Sequence, residues 1–175
     1  MLKTIAAAAG LLPALSVALF PVPALADTCP WLDAKVAAEA ILVRPTQVKL
    51  EKNPVLPNAG GMVSSTTCLF KGADEGIGQL SVTVMEYSSE AVAKDSYEKE
   101  LKNQGSRARP AKLDGNPAFF TMTRGFSGGS FAAKGTRIVF VSHVFSKRVK
   151  ESMASDPDGA VLSTHEIARQ VLGRL

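Results

Sequence analysis

The chain has 175 residues, of which 46% are hydrophobic and 21% charged, and its formal net charge is +4. This length suits one domain, which would bury about two thirds of its unfolded surface. The sequence contains no repeat of about 20 to 50 residues, which excludes solenoid and propeller architectures.

The amino-terminal segment has the organisation of a secretory signal peptide. Lys3 supplies an early positive charge, residues 5–20 carry no charge, and Ala24-Leu25-Ala26 offers a small-residue cleavage site. The apolar run is shorter than the ~20 residues that cross a bilayer, and Gly10 and Pro13 interrupt it. We therefore predict a signal peptide over residues 1–26 and a single domain over residues 27–175.

Export predicts a periplasmic or secreted protein with no transmembrane segment after cleavage. Lipid attachment at Cys29 is the alternative, but Ala26-Asp27-Thr28 lacks the small, uncharged residues that normally precede a lipid-modified cysteine. Cys29 and Cys68 are the chain's two cysteines, and pairs usually bond in an oxidising compartment. We predict a disulfide between them, which would contribute roughly 4 kcal/mol by closing a loop of about 40 residues.

The first half of the domain predicts a helix, strands and a second helix. Apolar residues recur at helical spacing from Pro30 until Arg44-Pro45 ends the run. Strands are predicted at Gln47–Glu51, Ser65–Phe70 and Gln79–Tyr87, the last of which alternates between two faces. Ser88-Ser89-Glu90 then predicts the start of a helix that Gly105 terminates.

The second half predicts three hairpin-connected strands and a closing helix. The strands are Pro117–Arg124, Ser130–Ala133 and Thr136–Phe145, with a glycine-rich loop at residues 125–129 and a tight turn at Lys134-Gly135. Ser163-Thr164-His165-Glu166 matches a capping box before the last helix. The fold class is therefore α+β, a mainly antiparallel β-sheet covered by about three helices, with one disulfide.

This layout resembles a known fold. The strand ending in Glu86-Tyr87, the following helix and the Leu113-Asp114-Gly115-Asn116-Pro117-Ala118-Phe119 segment are similar to the Mog1/PsbP-like fold of small exported proteins. The cysteine before the first helix, with a second one in a strand, resembles bacterial secreted proteins and lipoproteins of this layout. The resemblance implies binding or accessory roles more than catalysis, and no family site residues carry over to this chain.

The sequence contains a serine pattern that resembles a catalytic site, and histidines and methionines that are possible metal ligands. Residues 125–129 fit the Gly-x-Ser-x-Gly pattern of a nucleophile elbow around Ser127, but an elbow runs from strand into helix, and a strand is predicted here. His143 lies on an apolar strand face, which predicts a hydrogen-bonded core histidine, and His165 is expected to be exposed. The two histidines lack further ligands at zinc spacing, and the methionines do not cluster as copper sites do. We predict no catalytic, metal or cofactor site.

Charge is distributed unevenly along the domain. Residues 27–101 carry 7 basic and 11 acidic side chains, a net charge of −4, whereas residues 102–175 carry 12 and 5, a net charge of +7. A basic patch that contacts an anionic envelope component is one interpretation. Its predicted members are Arg107, Arg109, Lys112, Lys147, Arg148 and Lys150. The alternative is an ordinary solvated surface, and nucleic acid is not expected to meet an exported protein.

Together these features favour a noncatalytic binding or protein-interaction module of the cell envelope. Its partner would be an envelope protein or an anionic envelope component. The sheet face, the loop Lys52–Gly61 and the glycine-rich loop are its predicted contact surfaces. The alternative function is a hydrolase whose site the sequence does not reveal, and the sequence does not fix the oligomeric state.

Overall fold

A computed structural model describes residues 28–42, 45–57, 59–72, 78–123, 127–153 and 159–175, so the predicted signal peptide lies outside the described residues. Four α-helices and seven strands follow one another along the chain. They are α1 (Ala34–Ile41), β1 (Pro45–Lys52), β2 (Met62–Gly72), β3 (Gln79–Tyr87), α2 (Glu90–Gln104), β4 (Arg109–Leu113), β5 (Asn116–Thr123), β6 (Ser127–Lys134), β7 (Arg137–Val144), α3 (Lys147–Met153) and α4 (Gly159–Arg174), with a short 3₁₀ helix at Gly105–Arg107.

The seven strands form one antiparallel sheet in the order β1-β2-β3-β7-β6-β5-β4. Successive hairpins connect β1, β2 and β3 in the first half of the chain, and β4, β5, β6 and β7 in the second half. Each half therefore makes its own meander. The pairing of β3 with β7, from Gln79 opposite Val144 to Glu86 opposite Arg137, joins the two meanders. The predicted α+β class with a mainly antiparallel sheet is confirmed.

The two faces of the sheet differ in burial. On β3, Leu80, Val82 and Val84 are buried, while Ser81 and Thr83 between them are half-buried. The buried set faces α1 and α4 and forms the main core with Phe70 and Val141 and their neighbours. We call this the core face, and the opposite side the α2 face, because α2 packs there against β3, β6 and β7.

Helix α2 begins and ends where the sequence predicts. The Ser89 side chain accepts a hydrogen bond from the Val92 amide at 3.3 Å, which satisfies a donor that the first turn leaves unpaired. Gly105 ends the helix at a φ of 53°, in the region that glycine favours. Ala93 and Tyr97 are the residues that α2 buries against the sheet.

The predicted disulfide is present. Cys29 and Cys68 are bonded with their Cα atoms 5.7 Å apart, and Cys68 is fully buried in β2. The bond ties the segment before α1 to the core face of the sheet, beside Leu32 and Phe70.

Several predicted boundaries were wrong. The first helix begins at Ala34 rather than at Pro30, and the last begins at Gly159, so Ser163 lies inside α4 and does not cap it. Strand β4 and helix α3 were not predicted. Each is short, and β4 contains Pro110, which the sequence pattern of a strand interior does not favour.

The prediction that residues 125–129 form a loop was also wrong in part, because Ser127, Gly128 and Gly129 belong to β6. Both glycines leave space that aromatic rings fill. A Cβ atom on Gly128 would lie 3.1 Å from Phe120 and 3.2 Å from Phe145 on the core face. A Cβ atom on Gly129 would lie 3.0 Å from Phe140 on the α2 face. These glycines are therefore packing positions rather than turn positions.

Reducing the Cys29–Cys68 disulfide is expected to lower the free energy of unfolding by about 2–4 kcal/mol, because the loop it closes regains entropy in the unfolded chain. Urea denaturation with and without dithiothreitol measures the difference. A Cys29→Ser, Cys68→Ala double variant is the control and should not respond to reductant. Two free thiols in the denatured, unreduced protein would refute the bond.

Gly128→Ala is expected to destabilise the protein by about 1–3 kcal/mol, because the new methyl group overpacks the Phe120 and Phe145 rings. Gly173→Ala is the matched control. It lies in α4 with no neighbouring atom within 4 Å of the added carbon, so alanine should be neutral or stabilising there. Equal urea midpoints for Gly128→Ala and the wild type would contradict the packing role.

Candidate functional site

Helix α2 leaves part of the α2 face open. Beyond the helix, the side chains on this face are half-exposed and Gly129 is buried next to the Phe140 ring, whereas most of their neighbours in the same strands on the core face are buried. We call this region the open half. Its members are Thr67 and Leu69 in β2, Ser81 and Thr83 in β3, Thr121 in β5, Gly129 and Phe131 in β6, and Phe140 and Ser142 in β7.

The open half contains no charged side chain. Over the described lengths of β3, β5, β6 and β7, every residue that faces α2 or the open half is uncharged. Charges on this side begin at Lys71 of β2, opposite Gln79, and at the β1 edge, with Lys49 and Glu51. The surface therefore offers hydroxyl groups and aromatic rings rather than a field of one sign.

Three phenylalanines cross the sheet in one row. Phe119, Phe131 and Phe140 lie opposite one another on β5, β6 and β7. The ring centroids of Phe119 and Phe131 are 4.8 Å apart, those of Phe131 and Phe140 are 4.2 Å apart, and both pairs are stacked. Tyr97 of α2 contacts Phe119 at 5.4 Å, so the row begins under the helix and ends in the open half.

A hydrogen-bonded cluster extends this row toward β1. The Asn53 side-chain amide donates to Ser65 Oγ at 3.0 Å and to Thr67 Oγ1 at 2.8 Å. The Thr67 and Thr83 hydroxyl oxygens are 2.8 Å apart, and Thr83 lies opposite Phe140. These bonds fix the positions of the hydroxyl groups that border the aromatic row.

The open half suits binding rather than acid–base chemistry, because its side chains have no group that titrates near neutral pH. Two tyrosines on this face lie under α2. Burial raises the pKa of Tyr97 to about 12, and burial is also the main cause of the raised pKa of Tyr87. Both therefore stay neutral.

A pocket of about 200 Å³ lies at the other side of α2, between the helix and the turns of the β4–β5 and β6–β7 hairpins. Its polar groups already have intramolecular partners. Lys94 pairs with Glu98 at 3.9 Å, Lys134 donates to the Leu172 carbonyl oxygen at 2.7 Å, and Asn116 donates to the Leu113 carbonyl oxygen at 3.1 Å. The pocket consequently offers few uncommitted groups to a ligand.

The loop predicted as a contact surface, Lys52–Gly61, presents isolated apolar side chains. Leu56 is 71% exposed, and a hydrogen bond of 3.0 Å from the Ala59 amide to the Leu56 carbonyl closes a turn there. Single exposed apolar residues are common on protein surfaces, so the loop alone does not define a site.

The Ser127 pattern does not form a nucleophile elbow. Ser127 begins strand β6 and lies opposite Val144, on the face away from His143. The serine–histidine contact in the described structure is instead Ser130 with His165, which the sequence analysis missed. Ser130 Oγ lies 3.1 Å from His165 Nδ1 and donates to Thr164 Oγ1 at 2.9 Å.

The contact of Ser130 with His165 anchors α4 to β6. Ser130 and Thr164 are fully buried, so the Ser130 hydroxyl is closed to a substrate. His165 was predicted to be exposed, but it is half-buried, contacts the Phe120 ring edge-on at 5.7 Å, and has a pKa that burial lowers. Its position two turns beyond the start of α4 explains the error, because the helix starts earlier than predicted.

His143 lies in the core, as predicted, but without the predicted hydrogen bond. It is fully buried, and neither ring nitrogen has a hydrogen-bond partner in the part of the chain that the structure describes. Its ring packs edge-on against Phe145 at 4.9 Å. Burial lowers the pKa of His143 to about 4, because the protonated ring would carry its charge in an apolar environment.

All six residues of the predicted basic patch are exposed, but they lie in two groups. Arg107, Arg109 and Lys112 belong to the 3₁₀ helix and β4, whereas Lys147, Arg148 and Lys150 belong to α3, which follows β7. Strands β5 and β6 separate β4 from β7, a distance of about 14 Å. Lys147 also lies 4.0 Å from Glu151.

Arg109 and Lys112 also have a structural explanation. They lie with Pro110 on β4, an edge strand whose outer side pairs with no other strand among the described residues. Charged residues and proline on an edge strand oppose pairing with a second chain. Contact with an anion remains a prediction for these residues.

Among the described residues, no group of three or more histidine, cysteine, aspartate or glutamate side chains is arranged to hold a metal ion. None of the helices in the described ranges has the length and apolar character needed to cross a membrane.

Fold and surface together define an α+β domain with a disulfide and a sheet that is only partly covered on one face. No protein-family model matches the sequence, and no curated protein matches it significantly. The fold is similar to the extracellular domain of PknH from Mycobacterium tuberculosis, with a TM-score of 0.50 and 7% identity over 82% of this chain and 93% of that one. This match shows the fold alone, and the resemblance to the Mog1/PsbP-like fold stays a prediction.

His143 predicts acid sensitivity. Its pKa is about 4 in the folded protein and 6.5 in an unperturbed chain, so the unfolded state binds the proton more readily between these values. The contribution of neutral His143 to the free energy of unfolding is therefore fully present above pH 6.5 and falls as the pH drops toward 4. Below pH 4 the free energy of unfolding has decreased by about 3 kcal/mol. Urea midpoints measured from pH 4 to pH 8 test this.

His143→Leu should flatten that pH dependence, since it removes the titrating ring. His165→Asn is the control, because His165 is only half-buried and should account for a smaller part of the slope. If the His143→Leu variant loses as much stability in acid as the wild type does, groups other than His143 cause the acid sensitivity.

Proposed function

We propose that the mature protein is a noncatalytic binding module of the cell envelope, periplasmic or secreted, and that the open half is its contact surface. The observation that carries the proposal is the incomplete cover of the α2 face. The seven-stranded sheet buries the centre of one face, yet leaves a charge-free set of hydroxyl and aromatic groups half-exposed on the other. A contiguous surface of this kind is typical of an interaction site.

The location outside the cytoplasm has three supports. The amino-terminal segment has signal-peptide organisation, the two cysteines are bonded, and the fold is similar to that of an extracellular domain. The disulfide favours an oxidising compartment because cytosolic thiols are kept reduced.

The alternative of a hydrolase gains no support from the Ser130–His165 contact. A nucleophilic serine must reach a substrate carbonyl, and the Ser130 hydroxyl is buried between β6 and α4. The open half is accessible, but among the described residues no histidine lies beside its hydroxyl groups, so binding is the function that the geometry favours.

Placing a charge in the open half is expected to abolish binding. Ser142→Glu should reduce capture of envelope material from the native host at least tenfold, because desolvating an unpaired carboxylate costs more than the roughly 1.4 kcal/mol that a tenfold loss represents. Ala91→Glu is the control, since Ala91 is exposed in the first turn of α2, which begins beyond Tyr87 at the other end of β3 from Ser81. Circular dichroism checks the fold of both variants.

The same assay tests the predicted basic patch as a second surface. Reversing the charges of Arg107, Arg109, Lys147 and Arg148 should leave capture unchanged if the open half is the contact. Capture by the open half should also be unaffected by added salt. Capture by the basic patch should weaken, because exposed charges are screened within ~10 Å at 0.1 M ionic strength. The basic patch would be the contact surface if capture is sensitive to salt, is lost on charge reversal, and persists in Ser142→Glu.

A further inference from the structure

We propose that the open half binds an uncharged glycan chain of the envelope, an inference that rests on the function proposed above. It starts from three hydroxyl groups in one row. Ser81, Ser142 and Thr121 lie on β3, β7 and β5, with Gly129 of β6 between the last two. All three side chains are half-exposed, and none has a side-chain hydrogen bond among the described residues.

An aromatic ring lies within this row. Because Gly129 has no side chain, the Phe140 ring leans over it, with Cε2 3.0 Å from the place where a Cβ would be. Thr121 Oγ1 lies 3.6 Å from that same place. The row therefore presents an aromatic ring between hydroxyl groups, across three strand spacings or about 14 Å.

This arrangement matches the chemistry of a neutral sugar chain. A sugar has hydroxyl groups that both donate and accept, as do serine and threonine hydroxyls, and it has apolar C–H groups that pack on an aromatic ring. Over β3, β5, β6 and β7 a charged ligand would lose its hydration without meeting an opposite charge, because these four strands carry none on this face, and charged side chains lie only at the border, on β1 and at Lys71 of β2.

A protein partner fits this surface less well. The residues that dominate binding between proteins are tryptophan, tyrosine and arginine, and the open half has none of them. Its phenylalanines are held in a stacked row, and its bordering hydroxyls are fixed by Asn53. A surface fixed in advance loses little entropy on binding, which suits a ligand that offers only many weak contacts.

The test is an NMR titration of the ¹⁵N-labelled protein with two uncharged oligosaccharides, chitotetraose and cellotetraose, and with tetragalacturonate as a charged control. At least one uncharged probe should shift the amide signals of Ser81, Gly129, Ser142 and Thr121 in a saturable way that added salt does not weaken. Tetragalacturonate should shift none of them.

Variants of the row should then weaken the affinity in proportion to what they remove. Ser142→Ala and Thr121→Val each delete a hydroxyl with little change of shape and should cost roughly two- to tenfold in affinity. Ser142→Glu should abolish binding, and Ala91→Glu should have no effect. Because Ser142→Ala and Thr121→Val are small changes at half-exposed positions, they keep the test valid if Ser142→Glu fails to fold.

The outcomes separate this inference from the proposed function. No shift with either uncharged probe, or shifts confined to another surface, would overturn glycan binding. If Ser142→Glu nevertheless removes envelope capture, the open half remains the contact surface for a different macromolecule. If neither probe binds and Ser142→Glu leaves capture intact, both proposals fail.

Discussion

The pairing of β3 with β7 is the constraint on which the rest of the structure depends. Each half of the chain forms a meander through local hairpins, and this ladder joins them into a single sheet. It aligns Val82 with Val141 on the core face and Ser81 with Ser142 on the other. Because side chains alternate along a strand, a shift of one residue would exchange the two sets and expose the core. The core and the open half are therefore fixed by the same register.

Unequal cover then gives the two faces different properties. Helices α1 and α4 bury the core face and require small or absent side chains where aromatic rings crowd, as at Gly128. The same face tolerates polar groups that are enclosed with it, the hydrogen-bonded Ser130 and the unpaired ring of His143. Of the described helices, α2 packs on the opposite face, and its apolar contacts end at the phenylalanine row. Beyond that row the sheet itself is the surface, so its composition determines what it can bind.

Charge is arranged around this surface rather than on it. The basic residues that give the second half of the chain its positive charge lie on the edge strand β4 and on α3. On the edge strand they oppose pairing with a second sheet, a role that needs no ligand. At the end of α4, Lys134 and Arg137 donate to the main-chain oxygens of Leu172 and Leu175 and interact favourably with the end of the helix dipole. Several of the basic residues that cause the charge imbalance thus have a structural role.

The sequence by itself determined the features that depend on local patterns. The alternation of β3, the caps of α2 at Ser89 and Gly105, the turn at Lys134-Gly135 and the Cys29–Cys68 pair were all predicted correctly. Tertiary structure decided which strand faces are covered, because alternation separates two faces without showing what packs on either. It also decided that Gly128 and Gly129 make room for rings from other strands, that α4 begins before Ser163, and that Ser130 meets His165. Each of these depends on residues distant in the chain, and periodicity within one segment carries no information about them.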